Sequence, residues 1–429
     1  MTSLVTPLTS DPRARPAPFT FYAPKTNPLV IGLVKLGIRR TIRKKLRVTE
    51  IEIDDTDLDQ LRRLQGKRCL LAPSHSGGFE PHIILYLSKL LGDDYNYVAA
   101  MELFQQARIY RWLMPRLGVY SIIRGSVDRP SFSITRKLLA EGKRWLVIFP
   151  EGQTIWQNSM VIPFQEGVFQ LAFKGFEDAS KESDDAHLYC IPMAIKYVYL
   201  EDMHQDIDES MTRLERKLAI PDDGSELTRY TRLQRIAETV LTAIESVQGV
   251  EPTAESPMNV RIQNLKEHAL QRMEQRLEVK ANAKQTVLDR VRMLFNTVDR
   301  IVSEEPTGSA YEQQLMIERQ HAASENYEDL WRLLQLVSIY DGYVKESMTF
   351  ERFLDVLCLL EMEVCRERRI WGPRKARVKV GTPIDLHEFQ DRYKNDRRKT
   401  VQDVTSQMET SIRDMLEQLE HGCRKVNDA

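Results

Sequence analysis

Between about residue 65 and residue 200 the chain alternates short apolar runs with longer stretches whose apolar positions recur at three and four. RCLLAP, YNYVAA, GVYSII, WLVIFP and LYCIPMAI are compact, rich in aliphatic and aromatic residues, and read as strands. Residues 79–91, 104–117, 130–141 and 165–176 lie between them and read as helices. Strand and helix alternating at this spacing predict an α/β fold with a mixed, mostly parallel sheet covered by helices on both faces. From 203 to about 370 the strand signal vanishes. Val287, Val291, Leu294, Val298 and Ile301 form one helical stripe, and Phe350, Phe353, Leu357, Leu360 and Val364 form another. Breaks at 221–224, 249–257, 306–309 and 372–373 divide this region into amphipathic helices packed as antiparallel hairpins. A strand pattern, ARVKVGTPIDL, then returns ahead of a helix over about 400–419. A lone strand needs a sheet partner, so it is expected to rejoin the first sheet, which makes the helical block an all-α insertion.

The divisions that follow are a flexible arm at 1–28, a basic amphipathic helix at 29–48, the first part of the α/β domain at 49–202, the insertion at 203–372, the closing strand and helix at 373–422, and a tail at 423–429. In LVIGLVKLGIRRTIRKKLRV the residues Leu29, Leu33, Leu36, Ile38 and Ile42 are assigned to one side of a helix, with Lys35, Arg39, Arg40, Arg43, Lys44, Lys45 and Arg47 on the rest. That is the pattern of a helix lying on an anionic membrane, and equally of a basic surface helix packed on its own domain. The apolar part is too short to span a bilayer, and the N-terminal residues lack the charged and apolar regions of a secretory leader.

Charge and cysteine usage narrow the classes further. A net charge of -1 gives no global field for nucleic acid, so no nucleic-acid partner is expected. Five scattered cysteines without a CxxC pair suggest reduced thiols. The expected location is cytoplasmic, peripheral on the inner face of a membrane.

Candidate chemistry begins in CLLAPSHSGGFEPH, residues 69–82. His75 follows a strand and precedes a helix, at the carboxyl edge where open α/β sheets collect ligands. Pro73, Gly77 and Gly78 favour a sharp turn. Glu80, in the first helical turn, can bend back to one imidazole nitrogen and leave the other to take a proton from a hydroxyl. This is a base and its orienter without a serine; on these two residues alone, a satisfied polar pair is the plainer reading. A metal site built from His75, Glu80 and His82 lacks the HExxH spacing, so no metal is expected. GxSxG, GxGxxG and Walker sequences are missing as well. Three further stretches add to the edge: LGVYSIIRG with Arg124, IFPEGQ with Glu151 and Gly152, and VIPFQEGVFQLAF, where Phe164 and Gly167 open a helix whose free N–H groups suit an anion.

Taken in this order, the blocks resemble those of the glycerolipid acyltransferases, typified by the 1-acylglycerol-3-phosphate acyltransferases. The family's His-x4-Asp matches His75 to Glu80 with a substitution, and its glycine, strand and arginine match Gly118 to Arg124. Its Phe-Pro-Glu-Gly matches Phe149 to Gly152, its late-strand proline matches Pro192, and its helix start matches Phe164 to Gly167. The resemblance covers roughly 45–200 and 375–420 and leaves out the helical block. It implies transfer of a fatty-acyl group from acyl-CoA or acyl-ACP, as co-substrate, to a hydroxyl of a lysophospholipid or glycerol-3-phosphate-type acceptor, with no resident cofactor. His75 is then the base, Glu80 its orienter, and N–H groups near Gly77 and Gly78 the oxyanion donors. Gly78, Arg124, Glu151, Gly152, Phe164 and Gly167 are the substrate-binding set. Two departures stand out: glutamate in place of aspartate at 80, and Gln153, Thr154 and Ile155 where Thr-Arg-Ser is common, so that a basic residue is missing. The alternative is a catalytically weakened relative that binds lipid or protein, with the insertion as a site for a protein partner.

Overall fold

The structure, a computed structural model, describes residues 20–123, 128–221, 226–251, 256–280, 285–304, 306–338 and 343–426. Helix α1 (Pro28–Leu46) starts behind Asn27, whose side chain accepts from the N–H groups of Leu29 and Val30, and leads into strand β1 (Val48–Ile53). Then follow α2 (Asp55–Arg63), β2 (Cys69–Pro73), α3 (Glu80–Leu90), β3 (Asn96–Ala100), α4 (Met101–Gln105), α5 (Arg108–Arg116), β4 (Val119–Ile122), α6 (Arg129–Glu141), β5 (Leu146–Val147), α7 (Glu166–Ser180) and β6 (Tyr189–Tyr199). The helical block comprises α8 (His204–Lys217), α9 (Arg229–Gln248), α10 (Met258–Arg276), α11 (Val287–Ser303), α12 (Ala310–Ser324), α13 (Asn326–Ser338) and α14 (Phe350–Cys365). Strands β7 (Arg374–Val380) and β8 (Ile384–Asp385) and helices α15 (Gln390–Asn395) and α16 (Arg397–Glu420) come last.

The strands form one sheet in the order β1-β7-β6-β2-β5-β3-β4, with β8 beside β6. Neighbours are parallel except where β6 meets β7 and β8. The expected mixed, mostly parallel sheet is therefore the fold, and the strand after the helical block does return to it, between β1 and β6. Strand β6 is buried along nearly its whole length, as its sequence, apolar but for Lys196, requires of a strand covered on both faces. Its alternate residues feed two cores. Ile191, Met193, Ile195 and Tyr197 pack with Ile38 and Ile42 of α1 and Ile83 and Leu87 of α3. Cys190 and Ala194 pack with Phe169 and Phe173 of α7 and Val404, Met408 and Ile412 of α16.

Sequence periodicity missed β1, an edge strand in which Ile51 and Ile53 turn toward the core while Glu50 and Glu52 alternate with them. The helix expected over 104–117 is broken into α4 and α5, because Ala107 takes extended backbone between them. In the helical block, Ile207, Met211 and Leu214 of α8 pack with Leu233 and Ile236 of α9 and Phe353 and Leu357 of α14. Leu270 and Met273 of α10, Val291, Leu294 and Val298 of α11 and Leu330 and Leu334 of α13 form a second core. Ile155 and Ile162 also belong to that second core. They come from the loop between β5 and α7, so the block is seated on the α/β unit through that loop.

Helix α1 corrects the sequence reading. Ile31, Ile38, Ile42 and Leu46 are its buried stripe, whereas Leu29, Leu33 and Leu36 are 79%, 70% and 74% exposed. At about 100° per residue, positions 38 and 42 fall opposite 29, 33 and 36. The helix thus has an apolar face packed on the sheet and a second, solvent-facing one that continues into Arg40, Arg43 and Lys44, all exposed. Replacing Ile42 with alanine should lower the unfolding free energy by about 2–5 kcal/mol. Leu33→Ala should change it by less than about 0.5 kcal/mol. Denaturant titration of the two variants checks the assignment of faces.

Candidate active site

The site is set where β2 leaves the sheet. The Ser74 N–H donates to the Met193 carbonyl at 2.9 Å, and its Oγ accepts from the Ile195 N–H at 3.0 Å. Strand β2 is thereby clipped to β6 one residue before His75. The turn that follows brings Glu80, the first residue of α3, back to the imidazole, with Nδ1 2.9 Å from Glu80 Oε2. The other oxygen, Oε1, accepts from the Gly77 N–H at 2.9 Å and the Ser76 hydroxyl at 3.3 Å. The glutamate has no solvent exposure, and the His75 side chain is 18% exposed. Its ring lies on Phe149 at 4.1 Å between centroids. With a carboxylate on Nδ1, the proton is held there and the lone pair stays on Nε2, which has no hydrogen-bond partner among the described residues.

The extra methylene of Glu80 is absorbed by the turn. A side chain at 77 would bring a Cβ to 3.3 Å from Glu80 Oε1, and Gly78 has φ +75°, a conformation that favours glycine. Burial by itself would push the Glu80 carboxyl up, but the hydrogen bond and electrostatic pull of the His75 ring, with the Gly77 N–H, hold it below the usual carboxylate range. The Gly77 N–H is committed to Glu80 and is no oxyanion donor, which corrects one expectation.

Glu151 stands beside the pair because β5 is the neighbour of β2. Its role differs from the one expected of an acceptor-binding carboxylate. It is fully buried, with Oε1 accepting from the His75 backbone N–H at 2.7 Å and Oε2 from the Ile162 N–H at 3.2 Å. It ties two loops together. Burial raises its pKa from the ordinary 4.5 to about 8, against the pull of those two N–H groups. Gly78 is covered by Trp156, whose ring would lie 3.3 Å from a Cβ there. Gly152 turns at φ +72° against Gln165. Phe164 is not a wall of an opening. Its ring is buried in the core with α7 and α16, and its N–H donates to Glu409 at 2.9 Å. Gly167 is exposed in the first turn of α7, where a Cβ would meet nothing within 4 Å. Arg124 lies outside the described residues.

Sequence reasoning overlooked what the helical block brings. Arg292 of α11 donates from Nη2 to the carbonyls of Glu151 at 3.2 Å and Pro163 at 2.6 Å. Arg368, between α14 and β7, donates to the Gly77 carbonyl at 3.2 Å. The residues that replace Thr-Arg-Ser also acquire a reason, since Ile155 is a fully buried anchor of the block's core and Trp156 covers the Gly78 turn. Ile155 and Trp156, shortly after FPEG, were the available signal that something packs over this loop. Behind Glu80 lies a cavity of about 50 Å³ lined in part by Ser76, Gly77, Trp156, Asp355 and Arg368. It falls far below the roughly 300 Å³ of a small-molecule site. Among the described residues no three His, Cys, Asp or Glu side chains converge as a metal ion would require.

The Glu151 tie has a pH signature. A carboxyl whose pKa is raised on folding binds more protons in the folded chain, so its contribution to stability is complete below about 4.5 and is lost as pH rises through about 8. Asp355, raised by burial to about 7, adds a component of the same sign. Melting temperature should therefore fall between about pH 5 and about pH 8. Glu151→Gln should flatten part of that slope in thermal melts, and an unchanged slope would contradict the assignment.

No curated protein matches the chain. Residues 52–196 match the family model described as Acyltransferase, a span that begins in β1, ends in β6 and takes in His75, Glu80 and the FPEG turn. The match stops short of the helical block and of β7. An imidazole nitrogen without a hydrogen-bond partner among the described residues, backed by a buried carboxylate at the edge of a mostly parallel sheet, fits that match: residues 52–196 are similar to the glycerolipid acyltransferase family, and a helical block follows them before the sheet is completed.

Proposed function

We propose that the protein moves a fatty-acyl group from acyl-CoA or acyl-ACP to a hydroxyl of a lysophospholipid or glycerol-3-phosphate-type acceptor, in phospholipid biosynthesis or remodelling. The observation that carries this reading is the His75 imidazole, bonded through Nδ1 to buried Glu80, with Nε2 lacking a hydrogen-bond partner among the described residues. Nε2 takes the acceptor's hydroxyl proton as the oxygen attacks the thioester carbonyl and a C–O bond forms. Glu80 holds the ring and favours the imidazolium that results. The C–S bond then breaks, and the thiolate leaves with the proton that His75 returns. The Gly78 N–H is the remaining candidate to stabilise the oxyanion. Glu151 acts behind His75 by fixing its backbone. Arg124, two residues past the end of β4 in the sequence, is the candidate ligand for the acceptor's phosphate.

The same reading places the protein on the anionic inner face of a membrane from the cytoplasmic side. Leu29, Leu33 and Leu36 of α1 are exposed, and so are Ile109 and Trp112 of α5. The two helices are joined where the N–H groups of Lys25 and Asn27 donate to the carbonyls of Pro115 and Arg116. Exposed Arg39, Arg40, Arg43, Arg108 and Arg111 flank them. Apolar side chains beside cations, with a tryptophan among them, suit an interface of lipid headgroups. Among the described residues no helix is long and apolar enough to cross a membrane.

His75→Ala should lower acceptor-dependent thiol release with a lysolipid by at least about 10²–10⁴-fold while the melting curve is kept. A fully active alanine variant would refute the mechanism. Glu80→Asp should also lose activity, because a shorter side chain cannot hold His75 and the Gly77 N–H together; a rise would mark a weakened relative whose pocket serves binding. Leu33→Ser with Leu36→Ser should cut co-sedimentation with anionic vesicles by more than about tenfold, since burying one leucine is worth roughly 1.5–3 kcal/mol. Unchanged sedimentation would remove α1 from the membrane contact.

A further inference from the structure

Each support of the catalytic pair can be followed outward, and both lines end in the helical block. On one side, His75 is held by Glu80, Glu80 Oε1 by the Gly77 N–H, and the Gly77 carbonyl by Nη2 of Arg368 at 3.2 Å. On the other, the His75 N–H is held by Glu151, and the Glu151 carbonyl by Arg292 of α11. Neither arginine lies in the segment matched to the acyltransferase family.

Arg368 is the more constrained of the two. Its guanidinium lies 3.2 Å from the centroid of the Trp156 ring and 4.9 Å from that of Phe79. Trp156 has φ 57°, a left-handed backbone that few residues other than glycine adopt, and its ring covers Gly78. Strain of this kind persists only where the surroundings impose it. Arg368, Trp156 and the turn of Gly77 and Gly78 thus form one stack, with the Glu80 carboxylate beneath it. A planar, always-charged group that donates along its edge and stacks through its face is what this position requires, and arginine supplies both.

We propose that the helical block is a positioning element of the active site, acting through Arg368 on the turn that holds Glu80. This rests on the acyl-transfer reading for its kinetic arm and on the geometry alone for its spectroscopic arm. The block is then inseparable from catalysis, in contrast to a scaffold that binds a protein partner and can be deleted without loss of transfer. Arg368 touches neither substrate nor the reacting atoms.

The test uses the full chain with Arg368→Met and Arg368→Lys. Arg368→Met should lower kcat on the order of 10–100-fold, the scale of an approximately 1 Å misplacement, while KM for thioester and acceptor stays within about twofold. Arg368→Lys, which keeps the charge and a donor but loses the flat face, should recover part of kcat. In spectra of isotope-labelled histidine, the low-field Nδ1–H of His75, identified by its loss in His75→Ala, should be present in the wild type and broadened or missing in Arg368→Met. A folded Arg368→Met with wild-type kcat and an unchanged His75 signal overturns the proposal, as does a loss confined to KM. Should Arg368→Met not fold, Arg368→Lys matching the wild type in kcat and signal overturns it equally. A wild type without turnover sinks the acyl-transfer reading instead, and the histidine signal then decides the positioning role by itself.

Discussion

The hydrogen bond between His75 Nδ1 and the fully buried Glu80 carboxylate is the interaction on which the rest depends. A carboxylate in that position is costly to bury unless its lone pairs are satisfied. Here they are, by the imidazole, the Gly77 N–H and the Ser76 hydroxyl. The histidine in turn keeps one nitrogen without a hydrogen-bond partner among the described residues, on a side chain that is 18% exposed. The longer glutamate side chain reaches the imidazole here because two glycines let the turn bend around it. The substitution that looked like decay in the sequence is accommodated by backbone.

The architecture explains how so long an interruption is tolerated. Strand β6 delivers the chain into the helical block, and β7 returns to pair with β6 antiparallel, so exit and re-entry lie side by side. The sheet therefore closes its core irrespective of what lies between. What lies between has nevertheless grown into the site. Ile155 and Ile162 reach from the loop after β5 into the core of α10, α11 and α13, and Arg292 and Arg368 reach back to backbone carbonyls of the catalytic loops.

Much of this was legible in the sequence. The strands read from RCLLAP and LYCIPMAI, the helical stripes through Val291 and Leu357, and the returning strand all follow from period two or period three to four, and a period survives whatever packs beside it. The approach of His75 to Glu80 was legible because both lie within one turn of chain. What failed did so for physical reasons. The face of α1 was misread because Ile38 and Ile42 were grouped with leucines about half a turn away. Glu151 was taken for a ligand because sequence cannot tell a carboxylate that faces solvent from one that faces two N–H groups. Arg292 and Arg368 were invisible because their partners are more than a hundred residues distant and are backbone carbonyls, which leave no trace in residue identity.

In the proposed reaction one histidine carries the acyl group's transfer directly from thioester to hydroxyl, without a covalent acyl-enzyme. The most direct measurement follows free thiol and acylated lipid together, with the intact protein, an acyl thioester and a lysolipid, in the presence and absence of the lysolipid. Direct transfer requires thiol and ester to form in equal amounts, with essentially none without acceptor. Thiol released at the same rate without acceptor, or an acyl group left covalently on the protein, would contradict it.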